Sequence, residues 1–182
     1  MQSKKKFATM VLSGEKWRQM VGSGRFQTAD HRVRRERAVS KMFVGEYNHS
    51  LDTKGRLIIP SKFRESLGDT FMVTKGLDGC LSIYDMEGWK LLEEKLKALP
   101  LTNANARKFT RFMLGGAIEC EVDKQGRILL PANLREFAHL TKDVTLVGVG
   151  NRIEIWDKEA WAEANSYDDM EEIAENMEGL GI

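Results

Sequence analysis

The chain has 182 residues, with a hydrophobic fraction of 42% and a charged fraction of 30%, values ordinary for a globular protein with a real core. No apolar run approaches the ~20 residues needed to span a bilayer, no apolar segment with a small-residue cleavage site marks a secretory leader, and Cys80 and Cys120 fit neither a CxxC nor a metal-ligand spacing. A membrane protein, a disulfide scaffold and a cysteine metal site are therefore not expected, and the two thiols read as buried groups in a reducing cytoplasm. The net charge of +1 hides an asymmetry, because residues 1–41 carry +8 and the remainder −7. Any nucleic-acid surface on the acidic remainder has to be local.

In chain order, residues 1–41 are basic and lack periodicity, so no folded unit is expected there. A strand over 43–49 leads into a polar turn, Asp52-Thr-Lys-Gly55, and a second strand over 56–59. Pro60 lacks a backbone donor and suits the first turn of a short helix over 60–67, which Gly68 is placed to end. Strands follow near 71–74 and 81–84, then a helix over 86–98 with Trp89, Leu92 and Leu96 on one face. Residues 103–114 read as a helix carrying Arg107, Lys108 and Arg111, stopped by Gly115-Gly116. Further strands are expected near 117–122, 128–130, 144–147 and 153–156, with a short helix over 131–138 and a closing helix from about Lys158. Beyond Lys158 there are no basic residues, and Asp168, Asp169, Glu171, Glu172, Glu175 and Glu178 form an acidic tail, expected as a frayed helix or disordered segment.

The second series copies the first. Asp52-Thr-Lys-Gly-Arg-Leu-Ile-Ile-Pro60 recurs as Asp123-Lys-Gln-Gly-Arg-Ile-Leu-Leu-Pro131, and Arg64-Glu65 recurs as Arg135-Glu136. After one inserted residue, Leu81-Ser-Ile-Tyr-Asp85 matches Ile153-Glu-Ile-Trp-Asp157, and Trp89 matches Trp161. Two copies of so long a period do not make a solenoid. A duplicated β-rich unit packed about a pseudo-twofold axis is expected. The chain then divides into a basic extension (1–41), two units (42–114 and 115–165) and an acidic tail (166–182).

The repeated Asp-x-x-Gly-Arg turn has a chemistry of its own. The aspartate can accept hydrogen bonds from backbone amides two or three residues on, and the glycine can supply the positive φ of a bulged hairpin. The arginine then starts the outgoing strand within reach of the carboxylate, which can aim the guanidinium by a charge-assisted bond. A rigidly aimed guanidinium suits guanine O6 and N7 in a major groove. The same residues also make an ordinary surface ion pair of ~0–1 kcal/mol, and on the residues alone both readings stand.

The stretch from Met42 through Pro60, together with Gly115-Gly-Ala and Val122 through Pro131, resembles the MraZ family over 42–161, both DxxxR motifs included. That family is similar to the AbrB and MazE swapped-hairpin superfamily. The resemblance implies a mainly β protein with short helices (α+β), built of two pseudo-symmetric AbrB-like β-hairpin units around a small barrel-like core. It implies a cytoplasmic, nucleoid-associated repressor whose ring-shaped homo-oligomers bind G-rich, TGGG-like direct repeats in double-stranded DNA ahead of its own division and cell-wall operon. Carried onto this chain, the DNA-binding residues are Asp52, Arg56, Asp123 and Arg127. Lys54, Lys62, Arg64, Lys124 and Arg135 are candidates for phosphate contacts, which position a protein without reading sequence.

The same resemblance gives residues 1–41 two readings. They form a basic arm that grips phosphate, with Arg32-Val-Arg-Arg-Glu-Arg37 suited to it, or they are upstream DNA read in frame. Trp17 requires a TGG codon, and Val21-Gly22 is compatible with GTGGGN. No catalytic constellation is visible: His31, His49 and His139 are scattered, and no enzyme activity, cofactor or metal is expected. Trp89 and Trp161 read as packing residues, while Phe109, Phe112 and Met113 fit either a core or a subunit seam. The rival class is an antitoxin-like interaction module that uses the acidic tail to hold a protein partner.

Overall fold

The computed structural model describes residues 42–166 and 168–177. The readings of 1–41, including its histidine, and of the end of the acidic tail lie outside the described residues. The elements run β1 (Phe43–Ser50), β2 (Arg56–Ile58), α1 (Ser61–Leu67), β3 (Thr70–Lys75), β4 (Leu81–Asp85), α2 (Met86–Lys97) and α3 (Ala104–Gly115). They continue as β5 (Ile118–Glu121), β6 (Arg127–Leu129), α4 (Ala132–Phe137), β7 (Asp143–Gly150), β8 (Ile153–Asp157), α5 (Lys158–Ala164) and α6 (Met170–Met177). This is the expected α+β class with predominantly antiparallel strands.

A six-stranded antiparallel sheet has the order β1-β7-β8-β4-β3-β5, and a two-stranded sheet pairs β2 with β6. Exchanging each strand for its counterpart in the other repeat turns either order into itself. The pseudo-twofold axis therefore passes between β4 and β8, where Leu81–Ile83 pair with Ile153–Ile155.

The halves are not self-contained hairpins. β1 pairs along its whole length with β7, from Phe43 opposite Gly150 to Ser50 opposite Asp143, and β5 pairs with β3. Local hairpin pairing across the first turn is reduced to one bridge, Leu51 to Leu57. The first two strands of each repeat are thus exchanged into the other repeat inside one chain. The sheet also does not close: β1 and β5 end it as separate edges, so the expected barrel-like core is an open sheet with a ribbon laid against it. Closure requires the outer strands to pair with each other, and here β1 pairs only with β7 and β5 only with β3.

The core lies under the ribbon. Leu57 and Ile128 point inward at 0% and 1% exposure and join Ile59, Phe63, Phe71, Ile83, Leu130, Leu134, Leu146 and Ile155 in one apolar cluster. Helices α1 and α4 start directly after Pro60 and Pro131, which stand as their N-caps, a place where proline's missing donor costs no helical bond. Gly68 follows α1 at φ 81°, and the matching residue after α4, His139, is held at φ 49°. The paired tryptophans pack as expected, Trp89 against Tyr84 and Trp161 against Trp156. Met113 is buried, Phe112 packs edge-on against Phe137, and Phe109 stays partly exposed. Burial pushes the Cys80 thiol up to about 12 and Cys120 to about 11, so both are protonated and unreactive at neutral pH.

Candidate nucleic-acid interface

Both Asp-x-x-Gly-Arg turns close in the same way. In the first, Asp52 Oδ1 accepts the amides of Lys54 and Arg56 at 2.9 Å each, and the Gly55 amide donates to the Asp52 carbonyl at 2.9 Å. In the second, Asp123 Oδ1 accepts from the Gln125 and Arg127 amides at 2.8 and 3.0 Å, and the Gly126 amide donates to the Asp123 carbonyl at 2.9 Å. The carboxylate caps amides two and four residues on, one residue beyond the expected reach. The remaining oxygen takes the arginine: Arg56 Nε donates to Asp52 Oδ2 at 2.6 Å, while Arg127 donates through both Nε (2.9 Å) and Nη2 (2.7 Å) to Asp123 Oδ2.

These bonds hold both carboxyls down. The Arg56 backbone amide lowers Asp52 most, followed among the lowering causes by the Arg56 side chain. For Asp123 the Arg127 side-chain bonds dominate, then its backbone amide, and together they bring the carboxyl to about 2. Each guanidinium is thereby tied to the carboxylate that opens its own turn.

The exchange places the two turns at opposite ends of one ribbon. Arg56 faces Leu129, Leu57 faces Ile128, and Ile58 faces Arg127. The ladder runs on into both turns, with the Leu130 amide donating to the Gly55 carbonyl and the Ile59 amide to the Gly126 carbonyl, each at 2.9 Å. Because cross-strand partners and next-but-one residues share a face, Arg56, Ile58, Arg127 and Leu129 all stand on the side opposite the buried Leu57 and Ile128. The two arginines lie diagonally across it, on the order of 7 Å apart along the strand direction.

Among the candidate phosphate contacts, Lys54 and Lys124 are exposed at the turn tips and Lys62 is exposed on α1. Arg64 and Arg135 are half-buried and have a further task. Arg64 Nε donates to the Ile59 carbonyl and Arg135 Nε to the Leu130 carbonyl, both at 3.0 Å. Each guanidinium also lies over the turn glycine of the other repeat: a Cβ on Gly126 would sit 3.0 Å from Arg64 Cζ, and one on Gly55 would sit 2.8 Å from Arg135 Nε. Gly55 (φ +79°) and Gly126 (φ +78°) therefore provide both the left-handed turn and the space for the opposing arginine. Sequence reasoning missed this brace, although its signal was present in the arginine that recurs four residues after each proline. It also missed the two outward aliphatics, Ile58 and Leu129.

His49 is half-buried in β1, where desolvation lowers its pKa, and His139 is exposed after α4. Among the described residues no group of three or more His, Cys, Asp or Glu side chains could hold a metal ion, and no helix is long and apolar enough to cross a membrane.

Strand exchange, duplication and a ribbon with an Asp-held arginine at each end define an internally dimeric, swapped-strand α+β protein. Comparison with known sequences places it more closely. The profile of the family described as "MraZ protein, putative antitoxin-like" matches residues 42–112 and again 113–180. The chain is 63% identical over 142 residues to the transcriptional regulator MraZ of Clostridium acetobutylicum, covering 78% of this chain and 100% of that protein. It is 59% identical over 143 residues to the transcriptional regulator MraZ of Thermoanaerobacter sp., with the same coverage. It is also 59% identical over 138 residues to that of Heliobacterium modesticaldum, covering 75% of this chain and 96% of the relative. The chain belongs to the MraZ family. Among solved structures, the solution structure of PHS018 from Pyrococcus horikoshii aligns with 59% of this chain and 91% of its own at 14% identity, with a TM-score of 0.28.

Proposed function

We propose that the protein is a sequence-specific DNA-binding transcriptional regulator that presents Arg56 and Arg127 to guanines from the β2–β6 ribbon. The observation that carries the reading is the Asp-held arginine at each end of one exposed ribbon. A guanidinium has five N–H donors. A carboxylate that takes Nε and one Nη2 hydrogen leaves the end-on pair, one hydrogen each on Nη1 and Nη2, for guanine O6 and N7. The aspartate removes rotamer freedom before DNA arrives, so less ordering cost falls on binding. A two-stranded ribbon also fits the width of a major groove.

The finer parts of the reading follow from the family resemblance. The sites are G-rich, TGGG-like direct repeats ahead of the protein's own division and cell-wall operon, and the outcome is repression by a ring-shaped homo-oligomer in the cytoplasm, at the nucleoid. The remainder beyond residue 41 carries a charge of −7, so one ribbon holds duplex weakly. A ring that engages several spaced repeats gains by effective concentration, by as much as ~10²–10⁴. Lys54, Lys62, Arg64, Lys124 and Arg135 supply phosphate contacts that set position, and the two arginines brace the turns as well.

The test is fluorescence anisotropy on a duplex spanning the DNA immediately upstream of the Met42 codon, against a scrambled duplex at fixed salt. Arg56→Ala and Arg127→Ala should each cost about 1–3 kcal/mol on the specific duplex alone. Equal, weak binding to both duplexes by the unsubstituted protein sinks the reading. One observation favours a second reading, in which the tail holds a protein: α6 is acidic, buries no residue, and leaves Met170 and Ile173 exposed. A toxin gene beside this one, with no DNA specificity in the anisotropy experiment, decides for that antitoxin-like role.

A further inference from the structure

The ribbon's outer face holds more than its arginines. Leu129 is 60% exposed and Ile58 is 44% exposed. A lone surface aliphatic needs no explanation, but these two occupy the same position in the two repeats, two residues after each arginine. Strands with one buried and one open face alternate apolar with polar residues. Both ribbon strands break that alternation, running Leu57-Ile-Ile59 and Ile128-Leu-Leu130, with the outer residues of each triplet fully buried and the middle one outward. A polar middle residue would serve the fold equally well, because Leu57, Ile59, Ile128 and Leu130 alone supply the inward packing.

The register decides where these side chains stand. Ile58 is directly opposite Arg127 and Leu129 directly opposite Arg56, so the face is a two-by-two pattern with arginines on one diagonal and aliphatics on the other. Cβ atoms of such pairs are about 4.5–5.5 Å apart, a little more than the ~3.4 Å rise of one base pair. An aliphatic beside a guanine-reading arginine therefore lies over the neighbouring base pair or the next. The one apolar feature on the major-groove edge of a base pair is the C5-methyl group of thymine.

We infer that Ile58 and Leu129 are specificity-determining residues that pack against thymine methyl groups within one or two base pairs of the guanines read by Arg127 and Arg56. The inference rests on the DNA-reading role proposed above. It makes the ribbon a combined reader, with guanidinium for guanine and aliphatic for thymine. Cytosine is disfavoured at the aliphatic positions because it lacks the methyl group and presents an amino group that an aliphatic leaves unpaired.

The experiment uses the full chain and the upstream duplex at fixed salt, beside the same duplex made with 2′-deoxyuridine for thymidine in both strands, which deletes only the methyl groups. Binding should weaken about four-fold for each methyl engaged, the value for one buried methyl-sized group. The Ile58→Ser, Leu129→Ser double variant should bind the thymidine duplex as the unsubstituted protein binds the uridine one, and should no longer distinguish them. Arg56→Ala and Arg127→Ala, run in parallel, separate two kinds of failure. Equal binding of the unsubstituted protein to both duplexes, with specificity still lost in the arginine variants, overturns the aliphatic role and leaves the arginine role intact. Specificity lost in none of the variants overturns the ribbon as the reading surface, and the aliphatic role with it. If the serine variant changes the mass measured by light scattering while the thymidine-to-uridine ratio is one, the aliphatics are a seam between copies and the inference fails.

Discussion

The two turns share a sequence pattern, a backbone path and a glycine at nearly the same φ, yet they hold their arginines differently. Arg127 gives its aspartate two donors and is 24% exposed, whereas Arg56 gives one and is 33% exposed. The second turn is more tightly aimed, and the first leaves its guanidinium more freedom about the shared bond. What is common to the two is set by the strand exchange, which makes each turn the neighbour of the other repeat's arginine. What differs is confined to the solvent side, where packing imposes no symmetry.

The largest expected effect tests the shared part. Leu57→Ala and Ile128→Ala remove matched side chains from one apolar cluster, and each should cost about 2–5 kcal/mol in urea denaturation. Because both residues serve the same core, the transitions should stay single and the two losses should be close. A substitution that unfolds only one repeat would show that the halves are separable in spite of the exchange.

Smaller effects separate the turns. Gly55→Ala and Gly126→Ala each force a side chain into the left-handed region, at a cost of about 1–2 kcal/mol. Gly55→Ala should be the worse. Its Cβ would lie 2.8 Å from Arg135 Nε and 3.1 Å from the Leu130 carbonyl, whereas the three atoms nearest a Cβ on Gly126 all belong to the Arg64 guanidinium, at 3.0, 3.1 and 3.2 Å. Arg135→Ala combined with Gly55→Ala should recover part of the loss if the steric clash dominates. No recovery would assign the whole cost to φ. At the turn tips, Lys54→Ala and Lys124→Ala should weaken binding alike on specific and scrambled duplexes and lower the salt slope by about one each.

The sequence carried most of this comparison, and its limits are physical. The turns, the prolines opening α1 and α4, and both Asp–Arg pairs were legible because each follows from residues within five positions of one another. The strand partners were not legible from periodicity, which says which face of β1 is buried but not that its partner is β7. The twofold repeat implied a pseudo-axis, yet an axis is compatible with both self-contained and exchanged hairpins. For the same reason the bracing role of Arg64 and Arg135 was not legible: the glycine each one covers belongs to the other repeat. The outward direction of Ile58 and Leu129 was hidden by the unbroken apolar run, and only the register assigned it.

The smallest expected effect is also the most specific to the difference between the turns. A carboxyl whose folded pKa lies below its unfolded value favours the native state above the ordinary carboxylate range, and that contribution is lost as pH falls toward the folded pKa. Asp123, held near 2, should therefore keep its Arg127 bonds at pH values where a carboxyl of ordinary pKa is already protonated. Carbon-detected NMR of the side-chain carboxyls should place the Asp123 midpoint near 2, with Asp52 also below its ordinary value of 3.8. Arg127→Ala should raise Asp123 substantially, because the side-chain bonds are the largest cause of its depression, but not fully, since the Gln125 and residue-127 amides still donate to Oδ1. Arg56→Ala should move Asp52 less, because there the backbone amide is the larger cause and survives the substitution. Equal shifts in the two variants would mean that the second donor of Arg127 does not persist in solution, and the turns would then be equivalent on their solvent side as well as beneath it.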